Sequence, residues 1–404
     1  MRTALGPLLS FAAGSRVPGG FGYLGDDGQV LADKPVETWI SARMTHVFGL
    51  ATLLDHPGAA ELAAHGVDAL RTGPLYDAEH GGWRAAVGAG ADDDDDDDDD
   101  DKAAYVHAFV VLAGATATAA GIEGGRALLD EALAVWEQRF WDDDEGLARE
   151  SFDRTWTTSE DYRGANANMH GVEAALAAAD ALAPTDPGTA ARLRTHALRA
   201  IDRIVHQWAR ERDWRLPEHF THSWEPLPEF NRDSPADPFR PYGVTIGHQF
   251  EWARLCLHAA AALGEHAPSW LQTDADRLFL AAAERGWAAD GHDGFPYTLD
   301  WSDRPVVAAR MHWVVCEGVA AAAVRYGVSG DPRALTLQRR WEELGDRLFL
   351  DPAVGSWHHE LTPEGAVGNG TWAGKPDAYH LVQMLLLPDR PVRGSVAAAV
   401  LASR

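Results

Sequence analysis

The chain has 404 residues, 46% of them apolar and 24% charged, and a formal net charge of −26 at pH 7. This composition suits a soluble globular protein with a large core. The acidic balance repels phosphate backbones and excludes nucleic acid as a partner, and no apolar run of about 18 residues is present to span a membrane.

Taken in chain order, Met1 to Gly14 is apolar but broken by Gly6 and Pro7, and imitates a leader segment only weakly. Helical periodicity then dominates and strand alternation is scarce. Helices are expected near 35–54, 59–73, 102–120, 125–140, 165–183, 188–209, 244–263, 270–289, 306–326, 332–348, 377–387 and 393–402. They pair as six helix–loop–helix units, repeating about every 60 to 80 residues, which argues for an open solenoid or a closed ring. The first helix of each pair is alanine-rich and carries isolated polar residues. The second helices, such as Leu193–Gln207 and Leu337–Leu348, are amphipathic with charged outer faces. Inner helices with buried polar groups and outer helices with charged faces fit a ring, an all-α (α/α)6 barrel. A single catalytic domain over 1–404 is expected, with an acidic low-complexity insertion at 91–101.

That insertion contains ten consecutive aspartates, Asp92 to Asp101, and without them the net charge is still −16. Such a run repels itself and reads as a solvated loop. It lacks the alternating ligands and turn glycine of an EF-hand. Asp98 to Lys102 spells a protease-tag sequence, read here as the end of a low-complexity expansion. Deleting Asp92–Asp101 should leave activity intact, and a collapse of activity would reveal a role for it. The two cysteines, Cys256 and Cys316, fall in expected helices and read as buried thiols, which favours a reducing, cytoplasmic setting.

Four inner helices open on histidines at matching places: His170, His248, His312 and His380. His170/Glu173 and His248/Glu251 share the i, i+3 spacing that puts both side chains on one face. Buried imidazole–carboxylate pairs are costly and a core needs none. Histidine titrates where proton transfer runs, so a polar catalytic pocket is the better account. Lone helix histidines are ordinarily satisfied core residues, and this bland reading stays open for His46, His107 and His312. Three long connections, Glu145–Arg163, Asp213–Gly243 and Gly355–Asp377, enter the inner helices and read as a functional rim with short hairpins. Some of the sixteen tryptophans can offer flat faces to sugar rings.

Ser41-Ala42-Arg43-Met44-Thr45-His46, Ala167-Asn168-Met169-His170 with Glu173, Gly247-His248-Gln249-Phe250-Glu251-Trp252, Trp313 with Glu317-Gly318, and Tyr379-His380 come in an order that resembles the N-acylglucosamine 2-epimerase superfamily. The resemblance runs from about Gly19 to Leu387. Arg43 to His46 and Arg240-Pro241-Tyr242-Gly243 look most like its mannose- and sulfoquinovose-isomerising branch. The resemblance implies the (α/α)6 barrel and cofactor-free, metal-free interconversion of aldoses with ketoses or C2 epimers, here mannose with fructose. The aspartate run departs from the family pattern, and no nucleotide-binding signature is seen.

The resemblance assigns His380 as the base that carries a proton between C2 and C1. It assigns His248 to ring opening or partner acid/base work on the other face of the sugar, with Glu251 orienting it. Arg43 would hold substrate oxygens and the enediolate, or serve as a buried ion-pair partner. His170 would hydrogen-bond a hydroxyl or the intermediate. Asn168, His46, Arg240, Trp313 and Glu317 are substrate-binding candidates, although Glu317 can equally brace a neighbouring helix. An anionic sugar needs a basic rim, and acidic residues interleave with Arg232, Arg240 and Arg304, which favours a neutral hexose. A 2-epimerase on the same barrel is the first alternative. A glycoside hydrolase would need two carboxylates drawn from Glu173, Glu251 and Glu317. A metal enzyme built on His-x-x-Glu pairs and a sugar-binding scaffold without turnover complete the alternatives. The expected partner is a small-molecule sugar, and the expected assembly a monomer or homodimer.

Overall fold

The computed structural model describes residues 3–88 and 101–404, so nearly all of the aspartate run lies outside the described residues. Helix α1 (Leu5–Ala13) is followed by six hairpins: α2 (Thr38–Leu53) with α3 (Ala59–Thr72), α4 (Ala104–Ala119) with α5 (Gly125–Val135), α6 (Ala165–Leu182) with α7 (Pro187–Ile201), α8 (Ile246–Leu263) with α9 (Trp270–Gly286), α10 (His312–Ser329) with α11 (Pro332–Leu348), and α12 (Tyr379–Leu386) with α13 (Val396–Leu401). All twelve expected helices are present. The addition is α1, in the stretch that imitates a leader. Pro7 sits in its first turn, where the missing N–H costs nothing, and Leu8, Leu9, Phe11 and Ala12 are buried. Among the described residues no helix is long and apolar enough to cross a membrane.

The described chain forms two compact units. One comprises Gly6–Ala200 with Lys375–Tyr379 and Ser395–Arg404, and the other comprises Met1–Leu5, Ile201–Gly374 and His380–Gly394. In the first, α4 packs on α2, α5 and α6, and α2 on α3. In the second, α8 packs on α9 and α10, and α10 on α11. Helices α2, α4, α6, α8 and α10 are buried along almost their whole length, as a helix apolar on every face must be. The outer helices bury one stripe only, as α11 does with Ala334, Gln338, Trp341, Leu344 and Gly345. Gly66 of α3 lets that helix lie against Thr45 of α2, where any Cβ would overlap the threonine hydroxyl.

The inner helices begin in an unusual way. The residues just before α2, α4, α8 and α10 are Glu37, Ala103, Thr245 and Met311, and none caps its helix with a side chain. Instead each ends a short antiparallel ladder. Val36–Glu37 pairs with Ala86–Val87, and Lys102–Ala103 with Ser151–Phe152. Val244–Thr245 pairs with Thr298–Leu299, and Arg310–Met311 with Glu360–Leu361. The ladder runs on into the helix. The first helical N–H of Thr38, Ala104, Ile246 and His312 donates to the carbonyl of Ala85, Glu150, Tyr297 and His359 respectively. A helix N-terminus leaves four N–H groups without helical partners, and here the neighbouring connection satisfies one of them. The last residue of the aspartate run adjoins Lys102, whose buried ammonium donates to Asp77 at 2.8 Å.

Candidate active site

In the unit containing residues 201–374, His248 lies in the first turn of α8, and His380 and Trp313 lie at the starts of α12 and α10. Both imidazoles rest against the Trp313 indole, with ring centroids 5.1 Å from His248 and 5.7 Å from His380. Gly247 makes room for that indole, because a Cβ on it would overlap the ring. Gly247→Ala should displace Trp313 at a cost of about 1–3 kcal/mol of stability. It should also lower kcat/KM in steady-state kinetics; unchanged kinetics would remove Trp313 placement from the catalytic account.

Each histidine is held at Nδ1 by a buried carboxylate. His380 Nδ1 lies 3.0 Å from Glu317 Oε1. His248 Nδ1 lies 3.2 and 3.1 Å from the two oxygens of Glu218. A carboxylate at Nδ1 fixes the tautomer, with the proton on Nδ1 and the lone pair on Nε2. Here the expectation from spacing needs correcting: the carboxylate on His248 is Glu218, not Glu251. Glu251 is a turn deeper, where Arg254 donates to its Oε1 at 3.3 Å and to Glu317 Oε2 at 2.9 Å. All three side chains are buried. Glu317 therefore braces His380 and Arg254 together.

Donor atoms of Glu251, Glu317 and His380 lie within 4.8 Å of one another, a spacing that suits a cation. Arg254 already supplies one, bonding both carboxylates. The residues present thus fit an internal salt bridge better than a metal centre.

His312 stacks on His359 with centroids 3.7 Å apart, and its ring centroid is 6.3 Å from that of His380. Arg240 is half-buried in the 213–243 connection, where its carbonyl accepts from Asn231 Nδ2. In the same connection His219 Nε2 meets the Pro241 carbonyl at 2.8 Å. Burial, with Arg240 adding to it, lowers the basicity of His219. Arg232 is ion-paired with Glu229 at 2.6 Å and Arg304 with Asp300 at 3.3 Å.

The unit containing residues 6–200 holds the other candidates. Arg43 is buried in α2 with its guanidinium among the rings of Trp39, Phe109 and Tyr379. It donates to Asp377 at 3.0 Å and to the Tyr105 hydroxyl at 2.8 Å. Burial works against its charge, and Tyr105 and Asp377 more than offset it, so the pKa is raised. Among the described residues Arg43 Nε makes no hydrogen bond. His170 Nδ1 lies 3.8 Å from Glu173, whose carboxylate accepts from the Tyr379 hydroxyl. The His170 ring packs on Phe109 at 4.5 Å.

Three candidates of this unit make hydrogen bonds within the protein. Asn168 corrects a substrate-binding expectation: its carbonyl oxygen accepts from Ala148 N–H, and its NH2 donates to the Ala148 and Gly164 carbonyls. His46 Nδ1 meets Thr116 Oγ1 at 2.7 Å. His107 takes the bland reading, since Trp83 N–H donates to its Nε2 and its Nδ1 meets the Ala103 carbonyl at 2.7 Å. Burial pushes its pKa down to about 3.

Sequence reasoning missed Glu218, Arg254, His359 and Asp377. Arg254 had a signal, a lone cation three residues after Glu251 in an apolar helix. Glu218 lay inside a connection singled out as functional, with nothing to mark which residue of it mattered.

Comparison with known proteins now decides the family. The profile of N-acylglucosamine 2-epimerase (GlcNAc 2-epimerase) matches residues 19–384.

The chain belongs to the N-acylglucosamine 2-epimerase family.

A D-mannose isomerase of Thermobifida fusca is 51% identical over 97% of this chain and 94% of its own length. One of Pseudomonas cannabina pv. alisalensis is 44% identical over 97% and 92%. A crystal structure of a D-mannose isomerase superposes with a TM-score of 0.84 at 25% identity, covering 99% of this chain and 96% of that one. With the hairpin order, this likeness puts the N-acylglucosamine 2-epimerase family member in the all-α, (α/α)6 barrel class. It is an enzyme of the sugar isomerase and epimerase class.

Proposed function

We propose that this enzyme interconverts D-mannose and D-fructose through a cis-enediolate, by histidine acid/base catalysis and without a cofactor. The observation that carries the reading is the pair of imidazole–carboxylate dyads, His248–Glu218 and His380–Glu317, set against one indole. Aldose–ketose isomerisation opens the ring, removes the C2 proton, returns it at C1 and stabilises the anion between. His380 Nε2 takes the proton from C2 and delivers it to C1. His248 acts as the partner acid/base, assisting ring opening or proton movement at the sugar oxygens. Histidine suits both tasks because its pKa lies near working pH. The enediolate needs a cation or donors aimed at its oxygens. Arg43 is the candidate: a permanently charged guanidinium whose Nε retains a donor without a protein partner among the described residues. His170 is proposed to hydrogen-bond a hydroxyl or the intermediate, with Arg240 and Trp313 as further substrate contacts.

A neutral hexose is supported by the pairing of Arg232 and Arg304 with carboxylates, which leaves little of the basic rim an anionic sugar needs. The relatives named D-mannose isomerase support the same substrate. We place the reaction in the cytoplasm, in keeping with two buried free thiols.

Proton NMR of D-mannose with EDTA-treated enzyme in D2O tests the reading. Fructose should appear. Glucose without fructose would make the enzyme a 2-epimerase. Activity lost in EDTA and restored by a divalent ion would overturn the metal-free mechanism.

A further inference from the structure

We propose that Glu218 is the positioning residue of His248, accepting from its Nδ1–H so that Nε2 is the nitrogen that exchanges protons with the substrate. This rests on the reading of His248 as an acid/base group.

The geometry is specific. Both Glu218 oxygens face the same ring nitrogen, at 3.1 and 3.2 Å, and both side chains are buried. The backbone around Glu218 is anchored on each side. His219 is held by the Pro241 carbonyl, Phe220 packs on Trp208 at 4.6 Å, and Gln249 of α8 donates to the Trp214 carbonyl at 2.6 Å. The connection is thus tied to the helix that carries His248.

A buried carboxylate is costly unless a donor or cation meets it. Here that donor is the imidazole N–H at Nδ1. The second dyad is built differently. Glu317 divides its charge between His380 and the Arg254 guanidinium, whereas both oxygens of Glu218 are turned to one imidazole. The two histidines are therefore held by unlike arrangements, one by a carboxylate of its own and the other by a carboxylate shared with a guanidinium.

Glu218→Gln keeps the size and an acceptor for Nδ1–H but removes the charge. We expect kcat to fall about 10- to 100-fold, the loss typical when a carboxylate behind an imidazole is removed, with KM nearly unchanged. In NMR of 15N-histidine-labelled enzyme, assigned with a His248→Gln variant, the Glu218→Gln enzyme should show mixed His248 tautomers, since a glutamine amide can accept from or donate to Nδ1. Glu218→Asp, which retains a carboxylate, should restore much of kcat. In the parent enzyme, 15N chemical shifts should report a proton on His248 Nδ1. A Glu218→Gln variant with an unchanged His248 15N spectrum, or a parent with Nδ1 unprotonated, overturns the proposal. Should His248→Gln leave turnover intact, the acid/base reading fails, while the 15N shifts still decide whether Glu218 fixes the tautomer of the ring.

Discussion

His380→Ala is expected to lower kcat by about 10²–10⁴-fold, the range that a positioned acid/base group contributes, with far-UV circular dichroism unchanged. His248→Ala should do likewise. The expectation follows from where the rings sit. Both are buried in the first turn of an inner helix, both hand Nδ1 to a carboxylate and both lie on Trp313. Neither ring nitrogen Nδ1 is available to substrate, so the chemistry of each falls to Nε2. Alanine removes that nitrogen and leaves the helices, whose stability comes from alanine-rich packing below the first turn. Steady-state kinetics on mannose is the measurement, and an unchanged rate in either variant would take that histidine out of the mechanism. Loss of helical signal would instead mark the ring as structural.

Arg254→Met should produce the largest change in stability. The guanidinium bonds Glu251 and Glu317, and all three side chains are about 1% exposed. Methionine fills similar space but removes the guanidinium that the two buried carboxylates share. Removing one partner from a buried ion pair costs about 3–5 kcal/mol. Denaturant unfolding at neutral pH should show a deficit of that order. The deficit should shrink as the pH is lowered, because protonating one of the two carboxylates relieves their repulsion. A second substitution, Glu251→Gln, should recover part of the loss. A deficit that is small and insensitive to pH would mean that Arg254 is not the counter-ion of this pair.

The helices were legible because each inner helix is alanine-rich with buried polar residues and each outer helix keeps a 3.6-residue apolar stripe. Their starts were not marked by the usual capping residues, since Glu37, Ala103, Thr245 and Met311 cap nothing with their side chains. The positions of His248 and His380 could also be read, because a histidine opening a buried helix has no packing rationale. Their partners could not. The i, i+3 rule pointed from His248 to Glu251, but Arg254, one further turn along the same face, competes for that carboxylate. The partner that holds His248 comes from Glu218, 30 positions away in a connection without periodicity. Asn168 misled for the same reason, since the main-chain groups it serves at Ala148 lie 20 residues earlier.

The ladders that start the inner helices have a consequence for how such a site can diversify. Since the neighbouring connection satisfies the opening N–H of α8 and α10, the positions that would otherwise be reserved for serine, threonine, aspartate or asparagine are released from that duty. First-turn positions, where His248, His312 and Trp313 stand, can therefore accept new side chains without erasing the signal that begins the helix. Substrate preference can drift at these positions while the scaffold below keeps its register.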